Sequence, residues 1–434
     1  MRELLHTGQL KGHQAVVVGA GRSGRAAAGL LHLLGARVRL LETNPETAGR
    51  EVRDLAETRG WDLRVGPHTP SDFEDAQMVV LSPGVPRRAI APFMPERPVQ
   101  VLAELELASW FVSEPIIGVT GTNGKTTTTT LIGHILESCG RKTFLGGNLG
   151  IPLSEYVTGG GQAEILVLEA SSFQLQNVSS FHPRVGVLLN FSANHLDFHA
   201  DMDEYLDAKL KLFARQTPKD LAILPLKMKE LLEGREEIKA SRTYFIGSSR
   251  FACPALPGRH NQENMEAAYL ACRYFGVSEN DAAKAIATYV PLPHRMERIG
   301  EREGVLFIDD SKATTVDAMM AALDAVDRPV HLLAGGVFKG GDLTIGRDLL
   351  KNKVRSVSLF GGSRELFEAA WEGTVPLSWH QTIDEAVQNA ASKALPGEAV
   401  LLSPATSSFD QFTSYKERGK AFRQAVEMLG SKRQ

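Results

Sequence analysis

The chain repeats one pattern. A short, nearly continuous apolar run is followed by a loop of Gly, Ser, Asn or Asp, then by a stretch whose apolar residues recur at helical spacing. Apolar runs at 15–18, 37–41 and 78–81 read as strands in the first hundred residues. Runs at 115–119, 165–168, 185–189, 220–224 and 243–246 follow, and a last group lies at 305–308, 330–333, 357–360 and 399–402. Helical spacing covers the stretch up to Leu34, then 104–111, 201–213, 261–275 and 279–289. Apolar strands alternating with helices predict parallel sheets covered on both faces, with ligand groups at the strand C-termini.

At 434 residues the chain exceeds what one core supports. The Pro-rich stretch 92–98 and the Pro-Leu-Pro at 291–293 read as boundaries, giving domains 1–103, 104–292 and 293–434. A net charge of −3 argues against a nucleic-acid partner, and no apolar run approaches the ~18 residues of a membrane span. Cys139, Cys253 and Cys272 have no metal-ligand spacing and are too few for a disulfide scaffold. With no apolar leader in the first residues, the expectation is a cytoplasmic protein.

The stretch GVTGTNGKTTTTT at 118–130 carries the strongest chemistry. It follows a strand and opens a helix, so Gly121 and Gly124 can turn backbone N–H groups onto phosphates. Lys125 adds a charge at the β/γ-phosphates, and the Thr126 hydroxyl can ligate Mg²⁺. Val119 stands where the usual spacing has its first Gly, so the loop reads as a tighter variant. Five consecutive threonines form helices poorly, and tertiary packing must hold this one. Glu169 ends the strand 165–168 and is placed to hold Mg²⁺, directly or through water; an N-cap or edge acid is the bland alternative.

Other candidates are less specific. GAGRSG at 19–24, with Glu42 about twenty residues on, has the layout of a dinucleotide fingerprint, although the same geometry holds any phosphorylated ligand. The loop after 185–189 contains His195-Leu196-Asp197-Phe198-His199, which could ligate metal or be polar surface. Lys209 interrupts the apolar stripe Met202, Leu206, Phe213. It either snorkels or faces the nucleotide, and as a metal ligand it would need an added acidic group such as a carbamate. In the last domain Asp309 to Thr314, Gly335 to Gly341 and Ser403 to Asp410 converge on one sheet edge and suggest a small anion such as a carboxylate.

These motifs, with SPGV at 82–85, NLG at 148–150, LEASSFQL at 168–175, HNQEN at 260–264, PHRME at 293–297 and DSKAT at 310–314, together resemble the Mur ligase family over essentially the whole chain. The resemblance is nearest to its D-glutamate-adding branch; a related Mur or folylpolyglutamate-type ligase adding a different amino acid is the alternative. It implies an α/β fold of three domains: an N-terminal Rossmann-like domain, a central P-loop ATPase-like parallel sheet, and a C-terminal Rossmann-like domain. It also implies a monomer that uses ATP to join D-glutamate to UDP-N-acetylmuramoyl-L-alanine. By family position, Gly121, Thr122, Asn123, Gly124, Lys125, Thr126 and Thr127 hold the triphosphate, and Asn264, Arg295 and Asp310 contact the nucleotide. Mg²⁺ falls on Thr126 and Glu169, and a second Mg²⁺ near His195 and a carbamylated Lys209. Arg22, Ser23, Glu42, Thr43, Ser82 and Asn148 fall at the UDP-sugar, and Lys312, Thr314, Lys339, Ser408, Phe409 and Tyr415 around D-glutamate. Glu42 stands for a more usual Asp and Asn44 for a basic residue, so the uracil contacts depart from the family pattern.

Overall fold

A computed structural model describes residues 10–194, 198–340 and 342–429. The chain divides into two compact units, Met1–Asn190 with Asp203–Ile246 and Glu266–Ala285, and Phe191–Met202 with Gly247–Met265 and Ile286–Gln434.

The first unit contains two sheets. Strands β1 (Gln14–Val18), β2 (Arg37–Glu42), β3 (Asp62–Val65), β4 (Met78–Leu81) and β5 (Gln100–Ala103) are all parallel, in the order β3-β2-β1-β4-β5. The chain reverses its winding at β1, so the loops after β1, β2 and β4 lie side by side at the C-terminal edge, where such sheets bind ligands. Val16, Val18, Leu41, Val79 and Leu81 form the core with Phe73 and Ile90.

The second sheet is also parallel: β6 (Ile116–Thr120), β7 (Thr143–Gly147), β8 (Ile165–Glu169), β9 (Val185–Leu188), β10 (Leu221–Pro225) and β11 (Ser241–Phe245), ordered β11-β10-β9-β6-β8-β7. The threonine-rich helix Lys125–Ser138 packs against it, with Thr126 to Thr129, Leu131, Ile132, Ile135 and Leu136 all buried. Burial of these aliphatic groups, about 1.5–3 kcal/mol for each large side chain, offsets the weak helix propensity of a threonine run.

Between the two sheets, the helix Glu104–Ser109 is clamped by buried acids. Glu106 accepts from the backbone N–H groups of Ser179, Ser180 and Phe181 at 2.8–3.1 Å, and Glu104 from that of Ser154 at 2.6 Å. Two buried carboxyl groups therefore hold the connector that the sequence shows only as a short helical run.

The second unit holds β12 (Glu297–Arg302), β13 (Val305–Asp309), β14 (Val330–Ala334), β15 (Val354–Phe360), β16 (Leu377–His380) and β17 (Ala399–Leu402), ordered β12-β13-β17-β14-β15-β16. Apolar clusters are built from alternate strand positions, one around Leu332, Val357 and Trp371 and another around Phe307, Val400 and Phe422.

Here the sequence reading needs correction, because the sheet is not wholly parallel. Strand β12 is antiparallel to β13. Its sequence, ERIGER, has no apolar run to announce it, and as an edge strand it needs none. The half-exposed edge strand β16 was missed for the same reason. The helix expected over 201–213 spans Met202–Leu210, after which Leu212 and Phe213 donate to the carbonyls three residues back. Among the described residues no helix is long and apolar enough to cross a membrane.

Candidate functional site

Strand β6 delivers the phosphate loop at the centre of the second sheet. Gly124 caps the following helix at φ +80°, a left-handed conformation that glycine adopts without strain. Gly121 lies at φ +150°, and a Cβ there would fall 3.0 Å from Leu189 Cβ and 3.3 Å from the Asn190 nitrogen. The loop is thus pressed against the end of β9. Asn190 fixes it further: its Oδ1 accepts from the N–H groups of Thr122 (3.1 Å) and Asn123 (2.8 Å), and its Nδ2 donates to Asn123 O at 3.1 Å. The Lys125 ammonium donates to the carbonyls of Gly121 at 2.9 Å and Thr122 at 2.8 Å, curling over the loop.

Because β8 lies beside β6, Glu169 is brought to Thr126. The Thr126 hydroxyl donates to Glu169 Oε2 at 2.6 Å, and Asn148 Nδ2 donates to Oε1 at 2.6 Å. Glu169 is 3% exposed, so these short bonds form in a shielded environment where charge-assisted contacts are strong. Asn148, expected at the UDP-sugar, is bonded to this cluster through Glu169.

Lys209 is fully buried, and its Nζ donates to Gly121 O at 2.8 Å and lies 4.3 Å from the centre of the Tyr205 ring. Burial, with a smaller contribution from Lys125, holds its pKa well below the usual lysine range. The Tyr205 hydroxyl lies 3.3 Å from Thr122 Oγ1. The snorkelling reading of Lys209 is therefore excluded: its head group lies against the phosphate loop. His195 lies outside the described residues.

At the C-terminal edge of the first sheet, Arg22, Ser23, Glu42, Thr43 and Ser82 line one cavity of about 410 Å³, together with His68 and Thr47. Glu42 is buried, and both its oxygens are engaged, Oε2 by Ala20 N–H at 2.8 Å and Oε1 by Asn44 N–H at 2.9 Å. The Ser82 hydroxyl donates to Gly19 O at 2.9 Å, and Arg22 makes a bidentate pair with Glu155 at 2.9–3.1 Å.

In the second unit, the loops after β13, β17 and β14 adjoin because those strands do. Asp310 accepts from Met296 N–H at 3.2 Å and the Ser403 hydroxyl at 3.0 Å, and burial pushes its carboxyl up to about 7. Arg295 lies between His294 (φ +66°) and Met296 (φ +49°), two strained residues. His294 Nδ1 is 2.7 Å from Asp309 Oδ2. The Lys312 ammonium lies 4.3 Å from the Tyr415 ring centre and that of Lys339 5.6 Å from Phe409, which is 68% exposed. Ser408 is buried and Thr314 half-buried on the same loops. Asn264, buried in the helix Arg259–Tyr274, donates to Asn261 Oδ1 at 3.1 Å.

Sequence reasoning missed Asn190 as a functional residue. It is the first residue of a loop that was read for its histidines, although its place at a strand end beside the phosphate loop was the available signal.

A glycine-rich loop between a central parallel strand and a helix, with Lys, Thr and a neighbouring-strand acid, defines a nucleotide-dependent enzyme that works on phosphoryl groups. Residues 119–255 match the Mur ligase middle domain family, and residues 294–406 the family described as Mur ligase, glutamate ligase domain. A protein from Desulfovibrio desulfuricans named UDP-N-acetylmuramoylalanine–D-glutamate ligase is 52% identical over 422 residues, 96% of this chain and 97% of that protein. One of the same name from Lawsonia intracellularis is 46% identical over 95% of this chain and 94% of its own length. In fold, the MurF ligase from Thermotoga maritima in complex with ADP superimposes with a TM-score of 0.60 at 17% identity, covering 90% of this chain and 95% of that one. The chain belongs to the Mur ligase family, ATP-dependent ligases that form carbon–nitrogen bonds.

Proposed function

We propose that this chain joins D-glutamate to UDP-N-acetylmuramoyl-L-alanine using ATP, in the cytoplasmic synthesis of peptidoglycan precursor, and that it acts as a monomer. The observation that carries the choice of substrates is the 52% identity, over 96% of the chain, to a ligase of that name. The L-alanine carboxylate attacks the γ-phosphorus and ADP departs, leaving an acyl phosphate. The D-glutamate amine then attacks the acyl carbon, loses a proton and expels phosphate.

Two anions must approach each other, so the residues of the first unit are read as a cradle for negative charge. Gly121 to Thr127 surround the phosphates, and the flexible stem of Lys125 lets its ammonium move from the loop carbonyls to the β/γ-phosphates. The hydroxyl of Thr126 and the carboxylate of Glu169, hard oxygen donors 2.6 Å apart, fit Mg²⁺ and would hold it. When bound, the ion neutralises charge shared between the triphosphate and the carboxylate. Asn148 orients Glu169 through the opposite carboxylate oxygen.

Burial shifts Lys209 toward its neutral amine, and that form adds carbon dioxide, forming a nitrogen–carbon bond and releasing a proton. The resulting carbamate would replace an amine with oxygen donors that, with His195, suit a second Mg²⁺. Arg22, Ser23, Glu42, Thr43, Ser82 and Asn148 are read as contacts to the UDP-sugar, with Glu42 also shaping the turn through Ala20 and Asn44. Asn264, Arg295 and Asp310 are assigned to the nucleotide, and Lys312, Thr314, Lys339, Ser408, Phe409 and Tyr415 to D-glutamate. Three sheets support a division into domains 1–103, 104–292 and 293–434.

The test is phosphate release with ATP, Mg²⁺ and UDP-N-acetylmuramoyl-L-alanine across a panel of D- and L-amino acids. Strict dependence on D-glutamate is expected; equal or better turnover with another amino acid would replace the substrate assignment.

A further inference from the structure

Arg418 lies one turn beyond Tyr415 in the helix Tyr415–Met428, and its side chain is fully buried. An arginine rarely loses all exposure unless it is paired, and its guanidinium has five N–H groups to satisfy. Here the acceptors are neutral. Nε donates to Ser311 Oγ at 3.0 Å, and Nη2 donates to Ser311 O at 2.7 Å and Thr406 O at 3.1 Å. Among the described residues Nη1 has no hydrogen-bond partner. It faces Gly336, where an added Cβ would come within 3.2 Å of it.

One guanidinium thus reaches the loops after β13, β14 and β17. Each loop is further tied to the others or to the helix. Ser311 Oγ donates to Tyr415 O at 2.8 Å, Thr406 Oγ1 to Gly335 O at 2.6 Å, and Ser407 Oγ to Val337 O at 3.1 Å. Ser311 precedes Lys312, and Thr406 stands two residues before Ser408. Burial lowers the pKa of Arg418 to about 10, which leaves it charged at neutral pH. Asp410, Asp309 and Asp310 attract this charge only from a distance, without a bond to it, so its burial remains costly, and an apolar side chain of similar volume would avoid that cost. Stability alone therefore does not account for an arginine at this position.

We propose that Arg418 is a positioning residue for the incoming amino acid: it holds the three substrate-facing loops in register and turns an unpaired N–H edge toward Gly336. Its buried positive charge favours an anionic substrate over a neutral one. This rests on the reading that these loops receive D-glutamate, so the full-length wild type is assayed first. Absence of D-glutamate-dependent phosphate release there would overturn that reading rather than this one.

The test compares KM for each substrate in wild type, Arg418→Lys and Ser311→Ala, with circular dichroism and melting as controls on folding. Lysine keeps the charge but cannot span Ser311 and Thr406. It is expected to raise the D-glutamate KM about tenfold, the loss of one charge-assisted bond, with the KM values for ATP and the UDP-sugar within about twofold of wild type. Ser311→Ala removes a single hydroxyl and is expected to raise the D-glutamate KM about threefold, again selectively. An unchanged D-glutamate KM, or an equal rise in all three, would overturn the proposal. If Arg418→Lys does not fold, Ser311→Ala decides by the same criterion.

Discussion

The Thr126 hydroxyl and Glu169 Oε2, 43 residues apart in sequence, meet at 2.6 Å because β6 and β8 are neighbours in a parallel sheet. Asn148 closes the other side of the carboxylate. Replacing Glu169 with Gln keeps the shape and removes the charge. The variant is expected to lose about 10²-fold or more in kcat and to need more Mg²⁺ for half-maximal rate, as measured by turnover against Mg²⁺ concentration. Wild-type Mg²⁺ dependence in this variant would remove Glu169 from the metal site.

The Asn190 side chain makes three hydrogen bonds to the backbone of Thr122 and Asn123, beside the one that its carbonyl accepts from Thr122 N–H. At about 0.5–1.5 kcal/mol each, their loss in Asn190→Ala is expected to weaken ATP binding by about tenfold or more, through a loop no longer held for the phosphates. Titration with a fluorescent ATP analogue checks this. Unaltered affinity would mean that the loop keeps its shape without the asparagine.

Lys209→Ala is expected to be nearly inactive and partly rescued by a short carboxylic acid that fits the space left behind. Because carbon dioxide adds only to the neutral amine, wild-type activity should fall in carbon-dioxide-free buffer and recover with bicarbonate. Full activity of Lys209→Ala without rescue would eliminate the carbamate.

Glu104 offers a pH test of the clamped connector. Its carboxyl is fully buried, only Oε1 is bonded among the described residues, and burial raises its pKa to about 7. Below about 4.5 the acid is protonated in both folded and unfolded chains. As pH rises toward 7 the unfolded chain ionises while the folded one keeps its proton, and stability is lost through that window by roughly 3 kcal/mol. Glu104→Gln removes this ionisation while keeping an acceptor for Ser154. Its melting temperature is therefore expected to exceed wild type by more at pH 8 than at pH 5; an equal difference at both pH values would contradict the assignment.

Much of the fold was legible because parallel strands buried on both faces are written as apolar runs. The phosphate loop, Glu169 and Lys209 stand out in the sequence itself, since each breaks the local pattern at a strand end or within an apolar stripe. What escaped notice did not depend on apolar periodicity. Strand β12 pairs through its backbone at a sheet edge, Asn190 acts through an amide on a loop, and Glu104 and Glu106 resemble ordinary acids in the first turn of a helix. Arg418 was a partial exception, standing four residues before the buried Phe422 on the inner stripe of its helix. A charged residue on such a stripe is the same signal that singled out Lys209.

The transfer of a phosphoryl group to the substrate carboxylate is tested most directly by isotope. UDP-N-acetylmuramoyl-L-alanine carrying ¹⁸O in both carboxylate oxygens is turned over with ATP, Mg²⁺ and D-glutamate, and the released phosphate is analysed by mass spectrometry. Each phosphate is expected to contain one ¹⁸O taken from the carboxylate, with the other oxygen retained in the new amide. Unlabelled phosphate accompanying amide formation would show that the carboxylate was never phosphorylated.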